Sequence, residues 1–304
     1  MTWFLIALGA PFLWALVNIA DKYLVDKYST GHHGSGGLVL FSSLIGVIVA
    51  GLIAIFVEGI WNIPIMDKFL LLFAGCISIL WFILYLYTLE IEEISAVVPL
   101  FLMIPIFGYI LGSFFLGETL TTHQLIGSAI IMFGVLLISI DFAGEKRRIK
   151  VKPVLYMICS SIMIAFVGVI FKFVTVEGNF WISSFWEYLG MGITGILIFL
   201  FIPKIRREFM YMNKKGGKKI FALNTVSEFM SVIAHLLMNF ALLLAPVTMV
   251  YLVGSFQPVI LFFLTILGTK FFPKIISESL HHKILIPKTL AIIIIVAGSI
   301  FLFV

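Results

Sequence analysis

The chain has 304 residues, of which 62% are hydrophobic and 12% are charged, and its mean hydropathy is +1.19. A soluble core does not need so much apolar surface, so the composition excludes an ordinary soluble domain and indicates a protein that crosses a membrane several times. The net charge of +5 would favour nucleic acid in a soluble protein. Here the basic residues lie between the apolar segments, where membrane topology explains them, and we predict no nucleic-acid partner.

Ten apolar segments of about membrane-spanning length follow one another along the chain. A helix satisfies its own backbone hydrogen bonds, so each segment is predicted to be an α-helix in a bilayer. The connectors are too short to hold a soluble domain. The predicted fold is therefore an all-α polytopic membrane protein. Its predicted spans are residues 2–20, 37–57, 69–88, 94–116, 124–141, 153–174, 180–202, 220–244, 247–268 and 285–304.

Basic residues are concentrated on one side of the predicted membrane. Of the 20 lysines and arginines, all except Lys68 and Lys172 lie in or beside the connectors that follow spans 1, 3, 5, 7 and 9. Because cytoplasmic loops carry an excess of Lys and Arg, we predict that these connectors are cytoplasmic and that both termini lie outside. The predicted location is the plasma (inner) membrane, surrounded by lipid.

The second half of the chain repeats features of the first half in the same order. Gly134 corresponds to Gly298 in this alignment. The aligned segments are residues 15–23 with 165–173, 41–51 with 185–195 and 94–114 with 247–267. We predict two copies of one five-helix unit, residues 1–141 and 153–304, joined by a basic linker at 142–152. Because five is odd, the second copy enters the bilayer from the opposite side. Such inverted repeats are typical of transporters, in which substrate binds near the midplane between the halves.

Prolines within the predicted spans are candidate hinges. Pro99 and Pro105 lie in span 4, and Pro258, in span 9, aligns with Pro105. Proline interrupts the helical hydrogen-bond ladder, so kinks near these residues are predicted to take part in gating. The alternative is that proline is simply common in membrane helices.

A motif at the turn between spans 4 and 5 resembles a known family. The turn carries FLGE at residues 115–118 and QLIG at residues 124–127, and another glycine follows at Gly134. With ten spans in two copies, these residues resemble the EamA-like branch of the drug/metabolite transporter superfamily over essentially the whole chain. The motif is degraded in the second half, where residues 269–271 stand near the expected glutamate.

The resemblance implies a transporter of small metabolites, often an exporter, with a central cavity lined by spans 1, 3, 4, 6, 8 and 9. It also implies cytoplasmic termini, whereas the charge distribution of this chain predicts the reverse. The motif residues Glu118, Gln124, Gly127 and Gly134 are predicted to be structural. Glu118 is expected to cap the following helix or to hold the turn.

Polar groups at membrane depth are rare and point to function. Glu228, Ser231, His235 and Asn239 share one face of span 8, and Glu187 lies within span 7. This face is a candidate cavity wall, and Glu187 and His235 are candidate proton-coupling residues, since histidine gains and loses a proton near neutral pH. The alternative is a set of hydrogen bonds that hold the helices together.

Further polar and aromatic residues in spans 1, 3, 4 and 9 complete the predicted cavity wall. So many rings would favour flat, amphipathic solutes, although rings that face lipid are the alternative. The complete set of predicted cavity residues is Trp14, Asn18, Trp81, Tyr85, Tyr109, Glu187, His235, Asn239, Tyr251 and Ser255.

These observations predict a secondary transporter, not an enzyme. The chain has no GxxxxGK[ST] motif, no traceable nucleophile–His arrangement and no metal-ligand spacing, so no cofactor or metal is expected. Without a nucleotide site, transport must follow a gradient or be coupled to an ion. We therefore predict alternating-access transport of a small organic metabolite. Two alternatives remain on the same evidence: a flippase for lipid or lipid-linked sugar, and an intramembrane transferase.

Overall fold

The computed structural model describes residues 2–28, 35–92, 97–139, 151–271 and 282–302, and every regular element in these ranges is helical. A short 3-10 segment, Val98–Leu102, precedes α4. The α-helices are α1 (Thr2–Tyr28), α2 (Gly36–Phe56), α3 (Ile65–Ile91), α4 (Met103–Leu116), α5 (Thr122–Ser139), α6 (Val151–Thr175), α7 (Phe180–Phe201), α8 (Pro203–Leu244), α9 (Val247–Gly254), α10 (Gln257–Phe271) and α11 (His282–Leu302).

Seven segments in the described ranges are long and apolar enough to cross a membrane, and three shorter apolar helices accompany them. The all-helical membrane fold predicted from composition is therefore confirmed. The linker predicted at 142–152 lies outside the described residues up to residue 150, and α6 begins at Val151, two residues before the predicted start of the second unit.

The connector predicted between spans 7 and 8 lies between the apolar segments Phe180–Phe201 and Ile220–Leu244, and its residues 203–216 form a helix. Ile205, Glu208 and Met212 are buried on one face of this basic helix, which packs near the start of α2. Burial of this stripe stabilises a helix that charge density alone does not predict. Gly217, at φ 60° and ψ −166°, then breaks the helix before the membrane segment Ile220–Leu244.

Hydrogen bonds show which helix ends lie together. The Lys22 ammonium donates to the Leu89 carbonyl at 3.1 Å, which joins the end of α1 to the end of α3. Glu208 Oε2 accepts from the Gly36 N–H at 3.1 Å, which joins the start of α2 to the start of α8 at the same end of the bundle. We call this the basic end of the bundle. At the opposite end, Trp186 Nε1 donates to the Ile60 carbonyl at 2.8 Å.

Contacts between helices follow an exchange pattern. Eight pairs of helices that are in contact show this pattern. They are α5–α11, α2–α7, α3–α6, α1–α8, α3–α7, α2–α8, α4–α6 and α1–α9. Replacing each of the first five spans by its counterpart among the second five leaves α5–α11 and α2–α7 unchanged and converts each of the other six pairs into another pair that is also in contact. Spans 4 and 9 correspond here to α4 and to α9 with α10.

Two glycines let α3 and α7 approach with their backbones in contact. A Cβ on Gly75 would lie 2.0 Å from the carbonyl oxygen of Glu187, and one on Gly190 would lie 2.3 Å from that of Leu72. Only glycine fits such a crossing. The crossing brings the backbone of Glu187 against α3 in the interior of the bundle.

Both aligned prolines follow a discontinuity in their spans. Span 4 changes from the 3-10 segment, which contains Pro99, to α4 at Met103, and Pro105 lies in the first turn of α4. Span 9 breaks between α9 and α10, and Pro258 is the second residue of α10. In a first turn the missing N–H removes no helical hydrogen bond, so Pro105 and Pro258 begin helices and do not kink continuous ones.

Candidate functional site

A buried polar triad joins α7 to α8. The carboxylate of Glu187, fully buried on α7, lies 3.0 Å from His235 Nε2 through Oε1, and its Oε2 accepts from Asn239 Nδ2 at 2.8 Å. His235 is partly exposed, with 22% of its side chain accessible. A buried carboxylate needs such partners, because desolvation opposes its charge. The three groups together can hold a proton or bind a polar solute.

A second polar group lies nearer the basic end, between α1, α2, α3 and α8. The Tyr85 hydroxyl donates to Asn18 Oδ1 at 3.0 Å, and both side chains are buried. Asp21 is buried one turn further along α1, and Glu228 on α8 accepts from the Ser42 hydroxyl. In the sequence, Asp21 falls on the same face of span 1 as Trp14 and Asn18, although it was not among the predicted cavity residues. The continuation of α1 to Tyr28 places Asp21 inside the helix.

Tyr251 ties α9 to α6 through a close approach at Gly168. Its hydroxyl donates to the Ile164 carbonyl at 2.9 Å, and a Cβ on Gly168 would lie 1.9 Å from that hydroxyl oxygen. Ser255 follows α9, where its hydroxyl donates to the Tyr251 carbonyl at 3.3 Å. Both predicted cavity residues therefore lie at the broken span 9.

The remaining predicted cavity residues are less closely associated. Trp14 packs, half-buried, in the apolar cluster of α1, α6, α8 and α9. Trp81 lies at the α3–α6 contact, where its carbonyl accepts from the Ser160 hydroxyl at 3.3 Å. Tyr109 is 37% exposed on α4 and makes no hydrogen bond within the described ranges. The structure does not bring Tyr109 into either polar group.

Glu118 binds the second half of the chain. Its Oε1 lies 2.7 Å from Lys172 Nζ, and its Oε2 accepts from the Val247 N–H at 2.8 Å. Lys172 also donates to the Ala245 carbonyl at 2.7 Å. Glu118 thus caps α9, where an anion is stabilised by the helix N-terminus, and not the helix that follows it; within the turn, its carbonyl accepts from the Ser113 hydroxyl at 2.9 Å.

The other motif residues have local structural roles. Gln124 Oε1 accepts from the Thr121 N–H at 2.9 Å and the Thr121 hydroxyl accepts from the Gln124 N–H, which is a capping box at the start of α5. Gly127 is buried in α5. A Cβ on Gly134 would lie 2.6 Å from Ile295, so this glycine lets α5 pack on α11.

A cavity of about 1170 Å³ lies at the opposite end of the bundle. Asn62, Asp67, Glu118, Lys172 and Glu177 are among its lining residues. None of the predicted cavity residues lines it. The Glu118–Lys172 ion pair is therefore a wall of this outer cavity, while the triad lies elsewhere in the bundle.

A comparison with known protein families gives a match for the first half of the chain. Residues 1–140 match the EamA-like transporter family. This confirms the resemblance drawn from the sequence motif. The matched family is one of transporters, and the seven apolar helices of this chain agree with a multi-pass membrane protein.

Two further similarities extend this result. A Salmonella typhimurium (strain LT2) protein named "Probable amino-acid metabolite efflux pump" is 31% identical over 145 residues, which are 44% of this chain and 47% of that protein. The match thus spans about half the length of this curated relative. A crystal structure of a protein, 14% identical, superposes with a TM-score of 0.71 over 99% of this chain and 96% of that one. At this identity the likeness concerns the fold alone.

Proposed function

We propose that the protein is a secondary transporter that exports small organic metabolites by alternating access. Its working parts are two inverted five-helix units, residues 1–141 and 153–304, joined by the basic linker at 142–152. Export is favoured by the similarity to a protein named as an efflux pump. Inverted repeats move against each other around a site near the bilayer midplane, which exposes that site to one side at a time.

The observation that carries this proposal is the exchange pattern of helix contacts, because a duplicated unit is the simplest reason for it. Two lysines at aligned positions support it independently. Lys22 donates to the Leu89 carbonyl near the end of span 3, and Lys172 donates to the Ala245 carbonyl after the end of span 8. Each lysine thus binds the end of the third span of its own unit, where a cation is favourable for the helix dipole.

In this proposal, substrate passes between the units along the two polar groups. The triad of Glu187, His235 and Asn239 provides a polar site between α7 and α8, and Glu187 with His235 couples transport to protons. Asn18 and Tyr85 belong to the second polar group. Trp14, Trp81, Tyr251 and Ser255 form nearby walls. Movements at the discontinuities beside Pro99, Pro105 and Pro258 gate the path.

The proposed orientation places the basic end in the cytoplasm and both termini outside. It is supported by the concentration of lysine and arginine in the connectors of that end. The outer cavity, with its Glu118–Lys172 wall, then faces the exterior.

A transport assay on the whole chain tests the proposal. Purified protein in liposomes is loaded with amino acids, sugars, nucleosides or amphipathic drug-like solutes, and efflux is followed with and without a pH gradient. We expect efflux of at least one solute above that of protein-free liposomes. Efflux of none of these solutes, from correctly folded protein, would contradict the proposed function.

A further inference from the structure

The basic helix, residues 203–216, lies between the ends of two membrane segments. It directly follows the segment Phe180–Phe201 and precedes the segment Ile220–Leu244. The backbone leaves helical geometry at Ile202, with φ −113° and ψ 87°, and again at Gly217. The basic helix is therefore separate from both segments, and it lies at the depth where they leave the membrane.

Contacts with α7 and α2 hold the basic helix against the end of the bundle. The rings of Phe199 and Phe209 have centroids 6.4 Å apart, whereas ten residues of a continuous helix extend about 15 Å along its axis. The chain therefore folds back beside the end of α7, where the Arg206 guanidinium lies 5.9 Å from the Phe199 ring centroid. The bond from the Gly36 N–H to Glu208 fixes the helix to the start of α2.

The face of the basic helix that points away from the bundle is strongly cationic. Arg207, Met210 and Lys214 follow one another at steps of 3 and 4, so they lie on one face. Glu208 is the only carboxylate in residues 203–216, and it is buried on the other face. The exposed residues between 203 and 214 are Pro203, Lys204, Arg206, Arg207, Met210 and Lys214. We call these six residues the cationic face.

The charges of the cationic face are not neutralised by the protein. Among the described residues, neither Arg207 nor Lys214 forms an ion pair with a carboxylate. Lys204 lies 4.0 Å from Glu208, but its side chain is 70% exposed. An unpaired cationic face beside the ends of membrane segments is complementary to an anionic membrane surface.

Exposed apolar side chains accompany these charges. Met210, which shares the face of Arg207 and Lys214, is 60% exposed. Phe201 is 76% exposed and Ile202 is 41% exposed, and both directly precede the basic helix. A soluble polyanion would leave these groups in water, whereas a lipid offers both a charged headgroup and an apolar chain. The combination therefore favours lipid over nucleic acid or an acidic peptide.

We propose that the cationic face binds the headgroups of anionic phospholipids. Arg206, Arg207 and Lys214 contact the headgroup oxygens, because guanidinium and ammonium groups donate several hydrogen bonds to phosphate. Met210 and Phe201 lie among the adjoining acyl chains. Since the opposite face of the helix is fixed to the start of α2, bound lipid stabilises the basic end of the bundle. This interaction goes beyond the proposed transport function and does not depend on it.

Thermal unfolding of the purified full-length protein in detergent micelles tests the inference. Dioleoylphosphatidylglycerol, which is anionic, is titrated in parallel with dioleoylphosphatidylcholine, which has the same chains and no net charge. We expect the anionic lipid to raise the unfolding temperature more and at a lower concentration. The difference should shrink with added salt, because the Debye length falls from about 10 Å at 0.1 M to about 3 Å at 1 M ionic strength. Free glycerol phosphate, which lacks the chains, should have little effect.

Charge-removing variants locate the site. Arg207→Gln and Lys214→Gln are each expected to weaken the apparent affinity for phosphatidylglycerol roughly fivefold, which is the typical effect of one basic residue at an anionic surface. Lys152→Gln is the matched control, because it removes an exposed lysine at the start of α6, outside the basic helix. Its affinity for phosphatidylglycerol should be that of the wild type.

A local probe gives a second measurement. Met210→Cys, in a background with Cys76 and Cys159 replaced by Ser, is labelled with a polarity-sensitive dye. We expect its emission to shift to the blue when phosphatidylglycerol is added, and to shift less with phosphatidylcholine. This measurement and the comparison of the two lipids on the wild-type protein still decide if a charge-removing variant fails to fold.

Three results would overturn the inference. Equal stabilisation by the two lipids would show that the headgroup charge is not recognised. Equal stabilisation by glycerol phosphate would replace the lipid by a soluble anion. An equal loss of affinity in Lys152→Gln would show diffuse attraction by the whole basic end and no site on the basic helix.

Discussion

Glu187 places a carboxylate in the interior of the bundle, where burial is unfavourable unless the group has partners. Its carboxylate is fully buried, and it is stabilised by contacts to His235 and Asn239 on the neighbouring helix. Removing one side of such a network leaves the other groups desolvated without partners. The sequence indicated each of these residues separately, because polar groups are conspicuous in an apolar helix. Their pairing depends on how α7 faces α8, which no local pattern specifies.

Replacing Glu187 with Ala is predicted to destabilise the protein by about 1–3 kcal/mol, because the buried Asn239 and the partly buried His235 lose their carboxylate partner. Glu187→Gln keeps an acceptor oxygen of the same shape and should be destabilised less. Denaturant unfolding of detergent-solubilised protein measures both. Glu58→Ala, at an exposed position, serves as the control. Equal stability of the Ala variant and the wild type would contradict this role of the triad.

At the scale of helices, the crossing of α3 and α7 determines where Glu187 lies. Gly75 and Gly190 remove the side chains that would separate the two backbones. We predict that Gly190→Ala destabilises the bundle by about 1–3 kcal/mol, because its Cβ would lie 2.3 Å from the Leu72 carbonyl oxygen.

The matched control for this variant is Gly51→Ala on α2, where an added Cβ meets nothing within 4 Å. This change should be neutral or slightly stabilising, because alanine favours a helix more than glycine does. Thermal unfolding and any measured transport should follow the same order. A Gly190→Ala protein as stable as Gly51→Ala would show that the backbones are not in close contact.

The helices themselves were largely predictable, and their partners were not. Apolar length alone indicated α2 and α7 to within a residue or two at each end, because the bilayer imposes that length. The basic helix at 203–216 was missed, since its stability comes from burying Ile205 and Met212 at the basic end. Glu118 was recognised as structural, but its contact with Val247 joins residues 129 positions apart, and such a contact is a property of the tertiary fold.

At the scale of the whole molecule, the charge distribution makes a prediction about orientation. In a background with Cys76 and Cys159 replaced by Ser, a cysteine at Glu58 should react with a membrane-impermeant maleimide added to intact cells. A cysteine at Lys214, in the basic helix, should react only after the cells are permeabilised. Both positions are exposed, so accessibility differs only through the membrane. The reverse labelling pattern would place the termini in the cytoplasm.

The two halves of the chain are joined at the opposite end by the Glu118–Lys172 ion pair. Both side chains are only 13% exposed, so solvent screens their attraction weakly. In a double-mutant cycle with Glu118→Gln and Lys172→Met, we predict a coupling energy of about 0.5–3 kcal/mol in unfolding. The amide oxygen introduced by Glu118→Gln can still accept from the Val247 N–H, so the cycle isolates the charge interaction.

The control for this cycle is the pair Lys204–Glu208, which is 4.0 Å apart with a lysine that is 70% exposed. Because the lysine of this i,i+4 pair is solvated and the two charges are farther apart, we expect the pair to contribute only about 0.3–0.5 kcal/mol, so its coupling should be clearly smaller. Because the first pair also forms a wall of the outer cavity, its loss should increase labelling of a cysteine placed at Asn62. Equal coupling in the two pairs, with unchanged labelling, would mean that Glu118 and Lys172 do not hold the outer ends of the two units together.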